Sequence, residues 1–90
     1  MSGRQGSAVI TGGAGGLGRA LAQALTGEGW FVVLLDLDGA ALERAGSELG
    51  GNALALACDV TDDDAVARAC ARILAARATV DLVVYNAGVT

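Results

Sequence analysis

Residues 11–18 read TGGAGGLG, and their glycines recur at spacings that suit a backbone wrapped around phosphate. Three registers overlap. G-x-G-x-x-G uses Gly13, Gly15 and Gly18; T-G-x-x-x-G-x-G uses Thr11, Gly12, Gly16 and Gly18; T-G-x-x-G-x-x-G uses Thr11, Gly12, Gly15 and Gly18. In such a loop one glycine permits a sharp turn. Another leaves room for a pyrophosphate, and a third lets the next helix pack close to the preceding strand. The pyrophosphate then meets the unpaired N–H groups and the positive dipole end of the helix that begins near Gly16. A bare glycine run is also what a tight turn looks like, so the surroundings must decide. Asp36 lies 18 residues beyond Gly18 (36 − 18), close to the spacing of about 20 at which a carboxylate meets an adenosine ribose. An acid there accepts from both hydroxyls of NAD and repels the 2′-phosphate of NADP. The following residues, Leu37 and Asp38, bring no cation to reverse that preference.

These groups need strands and helices to place them, and short apolar runs do alternate with helical patterns. Residues 7–11, SAVIT, read as a buried strand that runs straight into the glycines. Beyond Gly16, Leu17, Leu21 and Leu25 fall at i, i+4 and i+8 with Ala20 and Ala24 beside them, and Gly27 and Gly29 end the helix. Residues 30–36, WFVVLLD, are apolar on both faces, as a central parallel strand requires. Asp38 caps a second helix with a face of Leu42, Ala45 and Leu49, stopped by Gly50 and Gly51. Residues 53–59, ALALACD, form a third strand. Thr61 and Asp64 make a capping box, and Asp62, Asp63 and Asp64 suit a helix N-terminus. The third helix carries Val66, Ala69, Cys70, Ile73 and Leu74 at helical spacing, and residues 80–88 are a fourth strand running into a loop. The order β-α-β-α-β-α-β implies an α/β fold with a parallel sheet and right-handed crossovers, the front part of a doubly wound Rossmann domain.

Ninety residues bound the chain to one domain, here residues 1–90. Aromatics are 3%, so the core is built from Val, Leu, Ile and Ala. The net charge is −4 and the six basic residues, Arg4, Arg19, Arg44, Arg68, Arg72 and Arg77, are scattered, which argues against nucleic acid as a partner. Cys58 and Cys70 match no metal or redox spacing and read as small buried apolar residues. No apolar signal core opens the chain, and WFVVLL is far too short to span a bilayer. A soluble cytoplasmic protein with no membrane partner is the expectation.

The chain resembles the short-chain dehydrogenase/reductase family over residues 7–90. The resemblance rests on TGGAGGLG after the first strand, LLDLD after the second, CDVTD after the third and YNAG after the fourth. It implies the strand order 3-2-1-4. It also implies a nicotinamide dinucleotide partner and hydride transfer to or from an alcohol or ketone substrate. By the same resemblance Thr11, Gly12, Gly16 and Gly18 belong to the cofactor loop, and Leu17 sits under the cofactor at the helix start. Asp36, with Leu37 beside it, selects NAD, with NADP less favoured. Asp59 bonds the adenine amino group with Val60 beside the ring, and Asn86, Ala87 and Gly88 steady the central strands and border the ribose. The N-A-G motif accompanies the T-G-x-x-x-G-x-G register in the compact-chain subgroup. That choice leaves Gly13 and Gly15 as loop positions where a small side chain is tolerated.

At the chemistry the chain departs from the family. The family's Ser, Tyr and Lys, the last two in Y-x-x-x-K, have no counterpart, because the chain has no Lys and Tyr85 is followed four residues later by Val89. No catalytic residue and no metal ligand is therefore assigned. The expectation is the cofactor-binding part of a longer oxidoreductase, which is a homo-oligomer when complete. The alternatives are a stand-alone, non-catalytic NAD-binding module and a degenerate structural relative. In the family's strand order the fourth strand is an apolar edge with no Lys or Pro to guard it, so residues 1–90 alone are expected to be poorly soluble, oligomeric or molten.

Overall fold

The computed structural model of the chain describes residues 6–76 and 80–84. In chain order the elements are β1 (Ser7–Thr11), α1 (Gly16–Gly27), β2 (Phe31–Asp36), α2 (Gly39–Leu49), a 3-10 turn (Gly50–Asn52), β3 (Ala53–Ala57), α3 (Asp63–Ala76) and β4 (Leu82–Val84). The four strands form one parallel sheet in the order β3-β2-β1-β4, as expected. The fourth strand expected over 80–88 is described only to Val84, and 85–88 lie outside the described residues.

The strands' apolar runs are explained by cover on both faces. Ile10, Val32 and Leu34 pack with Ala22 of α1 and with Leu42 and Ala45 of α2 on one face. On the other face Val9, Val33 and Leu35 pack with Cys58 and with Ala69 and Ile73 of α3. β2 is the centre: Val32, Val33 and Leu34 have no accessible surface. Each such side chain contributes about 1.5–3 kcal/mol by leaving water. β1 is as deeply placed, with Ser7 and Thr11 buried at its ends.

Helix α1 turns a different stripe inward from the one expected. Gly18 and Ala22 are the buried residues, Leu21 and Leu25 pack half-buried against the same cluster, and Leu17 is 64% exposed. The glycine at 18 sets that phase, because only a residue without Cβ lets the helix come this close to the loop before it. The helix ends in a Schellman motif: the Trp30 amide donates to the Leu25 carbonyl at 3.0 Å and the Gly29 amide to the Thr26 carbonyl at 3.1 Å. Gly29 takes φ 95°, and Trp30 and Leu25 both pack on the α1–α2 core.

Asp38 caps α2 as expected, accepting from the Ala41 amide at 3.1 Å, and Gly50 closes the helix at φ 74°. Leu42 and Ala45 are buried and Leu49 packs beside them. The cap of α3 is one residue later than expected. Asp62 accepts from the amides of Asp64 and Ala65 at 3.0 and 3.4 Å, while the Thr61 hydroxyl donates to Asp59 at 2.6 Å. The Thr61–Asp64 capping box does not form because Asp59 captures the threonine. Of the face expected on α3, Ala69 and Ile73 are buried, Val66 is half-buried, and Cys70 and Leu74 are exposed. Cys70 therefore departs from the buried role expected of both cysteines, whereas Cys58 keeps it.

β4 is held to β1 at both ends. The Ser7 amide donates to the Asp81 carboxylate and the Asp81 amide to the Ser7 carbonyl, each at 2.9 Å, while the Thr11 hydroxyl donates to the Val84 carbonyl at 3.4 Å. Val83 is 61% exposed and Leu74 55%, so bare apolar surface gathers where β4 and α3 line one groove. Among the described residues no helix is long and apolar enough to cross a membrane.

Candidate functional site

Thr11 ends β1, and Gly12 turns the chain with φ 67°, a conformation that L side chains rarely adopt. The loop is then tied to β2. The Gly13 amide donates to the Leu35 carbonyl and the Ala14 amide to Oδ2 of Asp36, both at 3.0 Å. The Gly15 amide closes the turn on the Gly12 carbonyl at 3.2 Å.

Each glycine has a distinct mechanical part. A Cβ on Gly18 would lie 2.5 Å from the Gly12 carbonyl oxygen and 2.9 Å from the Gly13 Cα, so its absence permits the close approach of α1 to the loop. A Cβ on Gly13 would lie 2.8 Å from both Cβ and Cδ2 of Leu34. Gly13 is thus a packing residue on β2, and the expectation that it tolerates a small side chain is wrong. Gly15 does have room, its nearest neighbour being the Gly12 carbonyl oxygen at 3.6 Å, and a Cβ on Gly16 meets nothing within 4 Å. Gly12 and Gly18 of the chosen register and Gly13 of the plain G-x-G-x-x-G register are the constrained positions. The signal for Gly13 was present in the overlapping motif.

Helix α1 begins bare. Its N-cap, Gly15, makes no side-chain cap bond, and no acidic residue lies in the first turn. The first helical bond is the Arg19 amide to the Gly15 carbonyl at 2.9 Å, so the amides of Gly16, Leu17 and Gly18 have no intrahelical acceptor. By contrast α2 and α3 are capped by Asp38 and Asp62, and α3 adds Asp63 and Asp64. The dipole of α1 therefore keeps its positive end uncompensated within its first turn. Arg19, next in the helix, turns to Glu48 of α2 in a half-exposed ion pair.

The acids stand along the same edge of the sheet. Asp36, half-buried at the end of β2, accepts through Oδ1 from the amides of Leu37 and Asp38 at 2.7 and 3.4 Å, and through Oδ2 from Ala14. Leu37 is 71% exposed. Asp59 follows β3 and accepts through Oδ1 from the amide and hydroxyl of Thr61 at 2.9 and 2.6 Å. The hydroxyl bond, then the amide bond, hold its carboxyl below the usual carboxylate range. Val60 is half-buried against the α3-side core. Burial, and then the charge of Asp59, push the neighbouring Cys58 thiol above its ordinary value.

Of the residues singled out in the sequence, Thr11, Gly12, Gly16, Leu17, Gly18, Asp36, Leu37, Asp59 and Val60 all lie at or just beyond the C-terminal ends of β1, β2 and β3. β1 also borders the point where the strand order reverses, since β2 follows it on one side and β4 lies on the other. Crevices at such points bind ligands in open α/β sheets. Asn86, Ala87 and Gly88 lie outside the described residues. The contact that sequence reasoning missed is Ala14 to Asp36, for which residue types give no signal because the donor is a backbone amide. Chemically, three amides without an intrahelical acceptor at a positive helix end suit a phosphate, and a carboxylate beside the loop suits a diol.

A family model described as short chain dehydrogenase matches residues 7–90. An uncharacterized oxidoreductase of Mycobacterium bovis is 45% identical over 86 residues, covering 93% of this chain and 35% of the relative. 2-Dehydro-3-deoxy-L-rhamnonate dehydrogenase (NAD(+)) of Sphingomonas sp. (strain SKA58) is 41% identical over 83 residues, covering 92% of this chain and 33% of that protein. Among solved structures, 3-ketoacyl-(acyl-carrier-protein) reductase from Brucella melitensis, complexed with NADH, superposes with a TM-score of 0.86 at 34% identity, covering 89% of this chain and 33% of that one. The chain spans about a third of the length of these relatives.

Proposed function

Since the chain belongs to the short-chain dehydrogenase family, we propose that it is the dinucleotide-binding part of an oxidoreductase. That enzyme moves hydride between a nicotinamide, NAD in preference to NADP, and an alcohol or ketone carbon. The observation that carries the reading is the pairing of the bare start of α1 with the Asp36 carboxylate, which the Ala14 amide places beside the glycine loop. The amides of Gly16, Leu17 and Gly18 would receive the pyrophosphate, which approaches most easily at Gly16, where a Cβ meets nothing. Asp36 would accept from the adenosine ribose hydroxyls, with Leu37 and Asp38 supplying no cation for a 2′-phosphate. Asp59 and Val60 would border the adenine, Leu17 the underside of the cofactor, Thr11 would lead into the cofactor loop, and Asn86, Ala87 and Gly88 would border the ribose. The nicotinamide supplies the hydride chemistry, and the residues of this chain bind and orient it.

The relative named for NAD(+) and the NADH complex support the dinucleotide and its preference. Parallel titrations with NAD and NADP test the reading. NAD binds more tightly to the wild type, and Asp36→Ala narrows the ratio. Equal affinities in the wild type, or tighter NADP binding, overturn the assignment of Asp36.

A further inference from the structure

Asp36 does more in this fold than present an acceptor to a ligand. Two consecutive loop amides cross to β2, Gly13 to the Leu35 carbonyl and Ala14 to the Asp36 carboxylate. The first bond is between main-chain groups and survives any substitution at 36; the second does not. The carboxylate is itself pinned before it reaches the loop, because Oδ1 accepts from Leu37 and Asp38. A carboxylate offers about four acceptor sites, and three are used by backbone amides. A charged acceptor makes these bonds stronger than neutral ones. Ala14 lies between the Gly12 turn and Gly15, the N-cap of α1. Its tether therefore fixes where the bare helix start sits relative to β2.

We propose that Asp36 is a positioning residue for the glycine loop: through the Ala14 amide its carboxylate holds the phosphate cradle in shape before any ligand arrives. The choice of ligand probes rests on the dinucleotide reading above, whereas the loop-ordering claim stands on the ligand-free geometry. One side chain then serves both the sugar preference and the shape of the phosphate site. Substitutions at 36 that admit a 2′-phosphate also loosen the loop, so affinity for every ligand of the cradle falls unless another acceptor is supplied for Ala14.

The test compares Asp36→Ala with Asp36→Asn in the full chain. The first readout is amide hydrogen exchange of Ala14 without ligand, with Val33 of the core as an internal control for global unfolding. The second is affinity for nicotinamide mononucleotide, which carries a phosphate but no adenosine ribose for Asp36 to touch. In Asp36→Ala, Ala14 exchange rises by about tenfold or more, as loss of a charge-assisted bond implies, Val33 is unchanged, and the mononucleotide binds several-fold more weakly. Asp36→Asn keeps one neutral acceptor oxygen for amides that reach both carboxylate oxygens in the wild type, so it falls between wild type and Asp36→Ala in both. Unchanged Ala14 exchange and mononucleotide affinity in Asp36→Ala overturn the proposal, even where the NAD-to-NADP ratio narrows. Raised exchange with weaker mononucleotide binding supports it, even where that ratio stays put and the ribose assignment falls.

Discussion

Gly18→Ala tests most sharply how the loop and helix fit together. The added Cβ would stand 2.5 Å from the Gly12 carbonyl oxygen, where real Cβ atoms keep at least 3.0 Å, so loop and helix must part by no less than 0.5 Å (3.0 − 2.5). No rotamer relieves this, since both obstacles are backbone. Gly12 is committed to its turn, and Gly13 is wedged on Leu34 and bonded to Leu35. Overpacking of this kind costs about 1–3 kcal/mol, against which alanine's better helix propensity returns at most about 1 kcal/mol. The net expectation is destabilisation of about 1–2 kcal/mol. In a domain of 60–100 residues each kcal/mol lowers Tm by roughly 4–8 °C. Gly16→Ala is the matched control: it opens the same helix, its Cβ meets nothing within 4 Å, and it should be neutral or stabilising by up to about 1 kcal/mol. Thermal melts of the two variants beside the wild type supply the measurement, and NAD titration of Gly16→Ala should show weaker binding at a Tm no lower than that of the wild type. A Gly18→Ala melt at or above that of wild type refutes the reasoning, because it means the loop yields where the geometry says it cannot.

Asp62→Ala removes the cap of α3 and should cost about 0.5–2 kcal/mol in urea denaturation, whereas Thr61→Ala leaves that cap intact. The Thr61 bonds hold the Asp59 pKa below its ordinary 3.8, so its folded value is lower than its unfolded one. The stabilisation is complete above the ordinary value and is lost as pH falls through the folded pKa. Thr61→Val, which deletes the hydroxyl bond, should move the Asp59 carboxyl titration upward in an NMR pH series. Cys70 is exposed, whereas Cys58 is 5% exposed with its thiol pKa raised. A native-state thiol assay should therefore give one fast-reacting group, lost in Cys70→Ser, with the second appearing only on unfolding.

Element order was legible because the strands are runs of Val, Ile, Leu and Ala bounded by glycines and acids, and a parallel sheet covered on both faces requires such runs; which strands pair came only with the family resemblance. The Asp38 cap and the Gly50 stop were legible for the same local reason: one side chain or one φ angle decides each. The phase of α1 was not, because Leu17, Leu21 and Leu25 compete with Gly18, Ala22 and Leu25 as the inward stripe. Only the close approach at Gly18 chooses between them. Cys70 shows the same limit on α3, where apolar residues occupy more of the circumference than the sheet can cover. The cap of α3 went to Asp62 because Asp59 took Thr61 first, a competition among Asp59, Thr61 and Asp62 that residue types alone leave undecided. At the site, spacing named Gly18 and Asp36 and the family resemblance chose Gly12, but the tie from Ala14 needed coordinates.

β1 pairs with one strand close to it in the chain and with one far from it, and this favours an order of assembly. Ser7 pairs with Phe31, 24 residues on, whereas Ala8 pairs with Leu82, 74 residues on. Closing a loop three times as long costs only about 1 kcal/mol more, so equilibrium barely registers the difference. Time registers it more. With synthesis at roughly 5–20 residues per second, β1 and β2 can zip together seconds before Leu82 exists. Throughout that interval the second edge of β1 stands open beside the growing chain. The two bonds between Ser7 and Asp81 are what finally shut it, which makes the stretch around Asp81 the last of these four strands to join.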